Sequence, residues 1–127
     1  MLIDSDVLVW LTRGHPGAAA RLRQEPVWRI SAVTYIELAQ GCRDRAELER
    51  LKKGLNARGT RIMPVNESIS ERAMRLIDRH ALGDGLQLGD ALIAATALEH
   101  GFSLLTGNLK HFKPIEGLTV EQFDPAV

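Results

Sequence analysis

The sequence predicts an α/β fold with a central, mostly parallel sheet flanked by helices. Three observations predict it. Short apolar runs alternate with amphipathic helical stretches along the whole chain, and strands separated by helices pair in parallel. Glycine and proline fall mainly between these stretches, where they punctuate. The 127 residues contain no internal repeat, low-complexity segment or linker-like stretch, which reads as one domain over 1–127 with room for a real core.

Residues 1–4 read as a short buried strand, and Val7, Leu8, Trp10 and Leu11 fit one face of the helix that follows. Gly14 breaks that helix, and Pro16 suits the first turn of a second one through Leu22. Val27 to Ser31 is the next strand. Ser31 can cap a helix whose Val33, Ile36 and Ala39 share one face and which ends near Gly41. Leu48, Leu51 and Leu55 form a stripe on a heavily charged helix ending near Gly59. Arg61 to Val65 is a third strand, placed at an edge or strand end by Pro64. Ser68 and Glu71 have capping-box spacing before a helix to about His80. A loop at Gly83 and Gly85 precedes the strongest helical segment, Asp90 to His100, stopped by Gly101. Phe102 to Thr106 is a fourth strand, Gly107-Asn108 begins a turn, and a last strand lies around Leu118 to Phe123.

Composition removes several function classes. Sixteen Lys and Arg balance sixteen Asp and Glu. The basic excess of a dedicated nucleic-acid binder is absent, although a local basic patch remains open. Cys42 is the only cysteine, so no disulfide forms within the chain. No apolar stretch reaches membrane-spanning length. Asp4 and Asp6 interrupt the segment that a signal peptide would need to keep apolar. A reducing cytoplasm is the simplest location.

Three acids stand out. Asp4 ends the first strand, where ligands bind in open α/β sheets. Glu37 sits inside Thr34-Tyr35-Ile36-Glu37-Leu38-Ala39, and Asp90 opens a helix that is almost wholly apolar after it. Each has a bland reading when taken alone: Asp4 as an N-cap, Glu37 as a solvated helix position, Asp90 as an acid at a helix N-terminus. Together the odds change. Carboxylates in apolar contexts need a partner or a metal. Three of them at one sheet edge would repel strongly unless a cation bound there. Oxygen-only ligands favour Mg²⁺ or Mn²⁺, and no Cys/His spacing suggests zinc.

Four segments then carry a family resemblance: Leu2-Ile3-Asp4-Ser5-Asp6-Val7-Leu8, Ser31-Ala32-Val33-Thr34-Tyr35-Ile36-Glu37-Leu38, Asp90-Ala91-Leu92-Ile93-Ala94-Ala95-Thr96-Ala97 and Leu105-Thr106-Gly107-Asn108-Leu109-Lys110-His111-Phe112. Occurring in this order across nearly the whole chain, they resemble the PIN-domain ribonucleases, most closely VapC-type toxins of toxin–antitoxin pairs. The resemblance implies a PIN-like three-layer sandwich and metal-dependent RNA cleavage that arrests translation and growth, with transfer or ribosomal RNA as the expected substrate. It implies Asp4, Glu37 and Asp90 as ligands of Mg²⁺, with Mn²⁺ able to substitute. Ser5, Thr34 and Thr106 match supporting hydroxyls, although Thr34 and Thr106 could equally be satisfied by local backbone bonds. It further implies a VapB-type antitoxin partner and a homodimer.

Two departures from the family pattern matter. Asp6 stands where the family usually carries Asn, and Asn108 where many PIN domains have a fourth acid. An amide brings no negative charge, so the site would hold one ion firmly and a second only with RNA phosphate. Arg13, Lys110 and His111 follow site-bearing elements and could meet phosphates, or be solvated surface charges. His80 and His100 read as structural residues at helix ends. Trp10, Tyr35 and Phe112 read as core or dimer contacts. Two alternatives differ in class: a non-catalytic PIN domain that binds RNA or a protein, and a haloacid-dehalogenase-type phosphatase, whose nucleophile motif Asp4-Ser5-Asp6 imitates. The second lacks the usual Gly/Thr continuation at Val7-Leu8.

Overall fold

The computed structural model describes residues 1–127. The chain runs β1 (Leu2–Ile3), α1 (Ser5–Thr12), α2 (Pro16–Arg23), β2 (Arg29–Ser31), α3 (Ala32–Gln40), α4 (Arg45–Ala57), β3 (Arg61–Met63), α5 (Glu67–Asp84), α6 (Leu88–His100), β4 (Leu104–Thr106), α7 (Leu109–Phe112) and β5 (Val120–Gln122). The five strands form one sheet in the order β3-β2-β1-β4-β5, and every pair is parallel. No helix is long and apolar enough to cross a membrane.

This order places a topological switch beside β1. The chain builds outward on one side to β3, then crosses back to lay β4 against the other edge of β1. Ile3 pairs with Leu105, so the residues that follow, Asp4 and Thr106, leave the sheet side by side. The crevice between such strands, at their carboxyl ends, is where open α/β sheets bind ligands.

The strands alternate between two cores, as a two-residue period requires. Leu2 and Leu104 join Ile69, Ala73, Ala91, Ala94 and Phe112 on the α5–α6 face. Ile3 and Leu105 join Val7, Leu8, Leu22, Trp28 and Leu38 on the opposite face. The sheet is thus the middle of three layers. The Trp28 indole N–H, which would be stranded in that apolar layer, donates to the Leu22 carbonyl at 3.0 Å.

Several boundaries differ from the sequence expectation. Asp4 lies outside β1, because its side chain accepts from Ser5 N and caps α1. Pro64 ends β3 after Met63, and β3 is an edge strand as expected. The Ser68–Glu71 capping box does not form; Asn66 caps α5 by accepting from Ile69 N, which puts Ser68 inside the helix. That helix runs past His80 through Gly83 and stops only at Gly85, whose φ of 73° suits a residue without Cβ. On α3 the buried residues are Thr34 and Leu38, while Ile36 is 59% exposed, so the expected Val33–Ile36–Ala39 face does not pack as a unit. The turn at Gly107-Asn108 leads into an unanticipated single helical turn, α7, anchored by the fully buried Phe112.

Candidate functional site

Asp4 is the centre of the site. It is 5% exposed. Its Oδ1 accepts from Ser5 N at 2.8 Å, and its Oδ2 accepts from the Thr106 hydroxyl at 2.7 Å. Thr106 Oγ1 in turn accepts from Asn108 N at 2.9 Å. The hydroxyl of Thr106 therefore links the ends of β1 and β4 and the start of α7. Burial first, then the neighbouring Asp6, push the Asp4 carboxyl up to about 7 despite the bonds from Thr106 and Ser5; Asp90 adds to the rise.

Asp6 is the second residue of α1 and crosses the same junction. Its Oδ2 accepts from Gly107 N at 2.9 Å, a role the amide oxygen of an Asn would fill equally. Its Oδ1 is buried with no hydrogen-bond partner. Burial raises the Asp6 carboxyl above its ordinary range, with Asp90 contributing. Gly107 is needed here for space: a Cβ would meet Asp6 Oδ2 at 2.7 Å and the Phe123 carbonyl at 3.3 Å.

Glu37 comes from α3. Sequence context suggested burial, but the side chain is exposed. Apolar neighbours in sequence spread around a helix, and those beside Glu37 do not cover it. Its carboxyl is nevertheless raised, by partial desolvation and then by Asp90 and Asp6, against a hydrogen bond from Ser5. The Ser5 hydroxyl also lies 3.4 Å from Asp4 Oδ1, so it stands between the two acids. Gly89 lets α3 and α6 approach, since a Cβ there would meet Glu37 Oε2 at 3.0 Å.

Asp90 is partly buried at the third position of α6 rather than at its start; with Gln87 it forms a capping box, taking the Gln87 N–H at 3.3 Å. Its Oδ2 also stands 2.9 Å from His111 Nδ1, and that nitrogen lies 2.8 Å from Asn108 Nδ2. Sequence reading offered His111 as a phosphate contact; its ring faces Asp90. Lys110 is exposed on α7, and Arg13 is exposed with its guanidinium 5.8 Å from the Trp10 ring centroid. Thr34 is fully buried, and its hydroxyl has no hydrogen-bond partner, so it bonds neither to the local backbone nor to the acids.

Four carboxylates thus face one sheet edge, and three of them, Asp4, Asp6 and Glu37, are raised by burial and by their acidic neighbours. The donor chemistry fits a hard divalent cation: oxygens dominate, and the buried Asp6 Oδ1 lacks any partner. The placement is incomplete, because no three of the Asp, Glu, His and Cys side chains stand close enough together to hold an ion. Beside Glu37 opens a groove of about 820 Å³ between α1, α3 and α4, with an apolar floor that includes Leu8, Leu38 and Leu55 and a rim that includes Arg13, Arg50 and Arg58.

The PIN domain family model matches residues 1–117. Ribonuclease VapC10 of Mycobacterium tuberculosis is 36% identical over 124 residues, which cover 93% of this chain and 90% of that protein. Among solved structures, a toxin–antitoxin complex from Klebsiella pneumoniae superposes with a TM-score of 0.79 at 30% identity, covering 98% of this chain and 96% of that one. VapBC-1 from nontypeable Haemophilus influenzae superposes at 0.76 with 26% identity, covering 95% and 96%.

Proposed function

The chain belongs to the PIN-domain family, and on that premise we propose that it is a VapC-type endoribonuclease toxin, acting as one domain over residues 1–127 in the cytoplasm. The observation that carries this reading is the convergence of Asp4, Asp6, Glu37 and Asp90 at the β1–β4 switch, with Thr106 bonded to Asp4. Four mutually repelling carboxylates are costly to maintain without a cation. The haloacid-dehalogenase alternative lapses with family membership.

In this reading Asp4, Glu37 and Asp90 hold Mg²⁺ or Mn²⁺. When bound, the cation supplies Lewis-acid polarisation of a phosphodiester and a more acidic attacking water. The chain's own residues do the positioning. Thr106 and Ser5 N fix both oxygens of Asp4. Asp6 ties the α1 end to Gly107, which keeps Asn108 beside the acids. Gly89 admits the Glu37 carboxylate against α6. Arg13 and Lys110 remain free to meet RNA phosphates. The arginine-rimmed groove beside Glu37 suits the docking segment of a VapB-type antitoxin, which would shut the site.

The test is cleavage of transfer and ribosomal RNA by protein freed of antitoxin. Cutting is expected with Mg²⁺ or Mn²⁺ and lost in EDTA. Full activity in EDTA would sink the metal mechanism. Absence of cleavage in any metal, with RNA still bound, would favour the non-catalytic reading, which the incomplete ion geometry and Asn108 support. Expression without a partner should arrest growth, and co-expression of the antitoxin should relieve it.

A further inference from the structure

A second cleft, of about 220 Å³, opens away from the acids between α5, α6 and the segment after α7. Arg72, Arg75, Leu76 and Arg79 of α5, Leu98 of α6 and Glu116 line it. The three arginines stand three and four positions apart, so they form one stripe along the helix. Arg72 is held by Glu99 at 2.6 Å. Arg75 and Arg79 are exposed and make no ion pair. Glu71 and Asp78, the acids nearest them in sequence, neither line the cleft nor pair with them. Like charges four positions apart on a helix destabilise it, and an anion between them would offset that cost.

The chain itself joins this cleft to the acids. His111 meets Asp90 near the head of α6, and a Cβ on Gly117 would lie 3.8 Å from Leu98 further along that helix. The segment 111–117 therefore follows α6 from the acids to the cleft. Lys110 and Lys113 flank its start, both exposed and neither in an ion pair. Asp90 and Leu98 are about 12 Å apart along the helix axis, the rise of about four stacked nucleotides. Five cations thus border one path against two acids, Glu99 and Glu116, in a chain whose net charge is zero. Guanidinium forks match phosphate oxygens. The path ends where the proposed reaction needs a phosphodiester, and that selects RNA over an acidic protein segment.

We propose that Arg75 and Arg79 form a second contact site for the RNA substrate, gripping backbone phosphates while the strand lies along α7 and another phosphodiester sits at the acids. This rests on the ribonuclease reading, and it holds whether or not a cation is bound at the acids. Phosphate contacts fix register without reading base sequence. The second site therefore selects RNA by reach: a substrate must extend past the cut by about four nucleotides to use it. Glu116 stands in the cleft as an opposing charge and weakens the grip.

The test is binding of the full chain to a labelled single-stranded RNA long enough to cover both ends of the path. It is read by fluorescence polarisation in EDTA over a series of salt concentrations. The double variant Arg75→Gln with Arg79→Gln keeps helix propensity and should melt like wild type. It should bind RNA about tenfold more weakly. Its log–log salt slope should be shallower by about 1.4, the share of two lost phosphate contacts on a single strand. Glu116→Gln removes the opposing charge and should bind more tightly than wild type. Equal affinity and slope in wild type and double variant overturn the second site and leave the ribonuclease reading standing; so does weaker binding with an unchanged slope. Wild type that binds no RNA in EDTA or in Mg²⁺ overturns both. If the double variant keeps RNA binding but loses a wild-type affinity for polyglutamate, the cleft takes an acidic protein segment and the RNA assignment falls. If the double variant does not fold, the sign of the Glu116→Gln effect decides.

Discussion

Asp4 concentrates the electrostatic tension of the site, and its effect on stability has a definite sign. Its folded carboxyl titrates near 7, against 3.8 for the unfolded value. Between those values the folded protein holds a proton that the unfolded chain has lost, so stability falls as pH rises through this window. The contribution is fully present below about pH 4 and gone above about pH 7. Asp6 and Glu37 are raised as well and act in the same direction. Glu47, paired with Arg43 and lowered to about 2, contributes stability that is lost only as pH falls below its ordinary 4.5. Stability read from melting in EDTA should therefore fall between about pH 4 and 7, by an amount on the order of a few kcal/mol, and Asp4→Asn should flatten that fall. A flat wild-type profile would refute the assignment. Asp90→Asn tests the other arm of the cluster. It should lower Mn²⁺ affinity and cut cleavage by orders of magnitude while leaving the melt in EDTA equal or higher, since one repelling charge is gone. Wild-type cleavage by that variant would reduce Asp90 to its capping-box role.

Short junctions, more than the elements themselves, hold the site together. The β4–α7 junction brings Gly107 N to Asp6 and Asn108 N to Thr106 within two residues. Gly107→Ala would drive a Cβ into Asp6 Oδ2 and toward the Phe123 carbonyl. It should lower stability by about 1–3 kcal/mol and weaken Mn²⁺ binding as well, both readable by melting and calorimetry. Asn66→Ala is the matched control. It removes the α5 cap bond to Ile69 N and should cost about 1 kcal/mol, yet leave Mn²⁺ affinity unchanged. Equal effects of the two variants on metal binding would show that general stability, rather than the junction, governs the site.

At the scale of the whole molecule, two exposed apolar side chains are next in sequence to the contact between α3 and α6. Gly89 packs α6 onto Val33 and Glu37 of α3. Flanking residues Ile36 and Leu88 are 59% and 74% exposed. Exposed large apolar side chains can serve an interaction face. We expect a homodimer to use it, and Ile36→Glu to shift the protein toward monomer in light scattering with its circular dichroism spectrum unchanged. A wild type that is monomeric at high concentration would refute this.

The sequence by itself determined the layered α/β plan, because alternating periodicities leave few ways to bury both faces of a parallel sheet. It marked Asp4 at a strand end, Ser31 and Gly101 at helix ends, and Asp90 at the head of the most apolar helix. It could not say which strands are neighbours. Only the pairing of β1 with β4 sets Asp4 against Thr106, a contact spanning 102 positions of chain. Burial also escaped the local pattern: Glu37 has apolar neighbours in sequence yet lies exposed, because its surroundings are set by how α3 meets α6. The roles of Gly107, Gly89 and His111 likewise belong to the tertiary structure. A glycine's missing Cβ and an imidazole's partner acquire meaning only from what another segment places a few ångströms away.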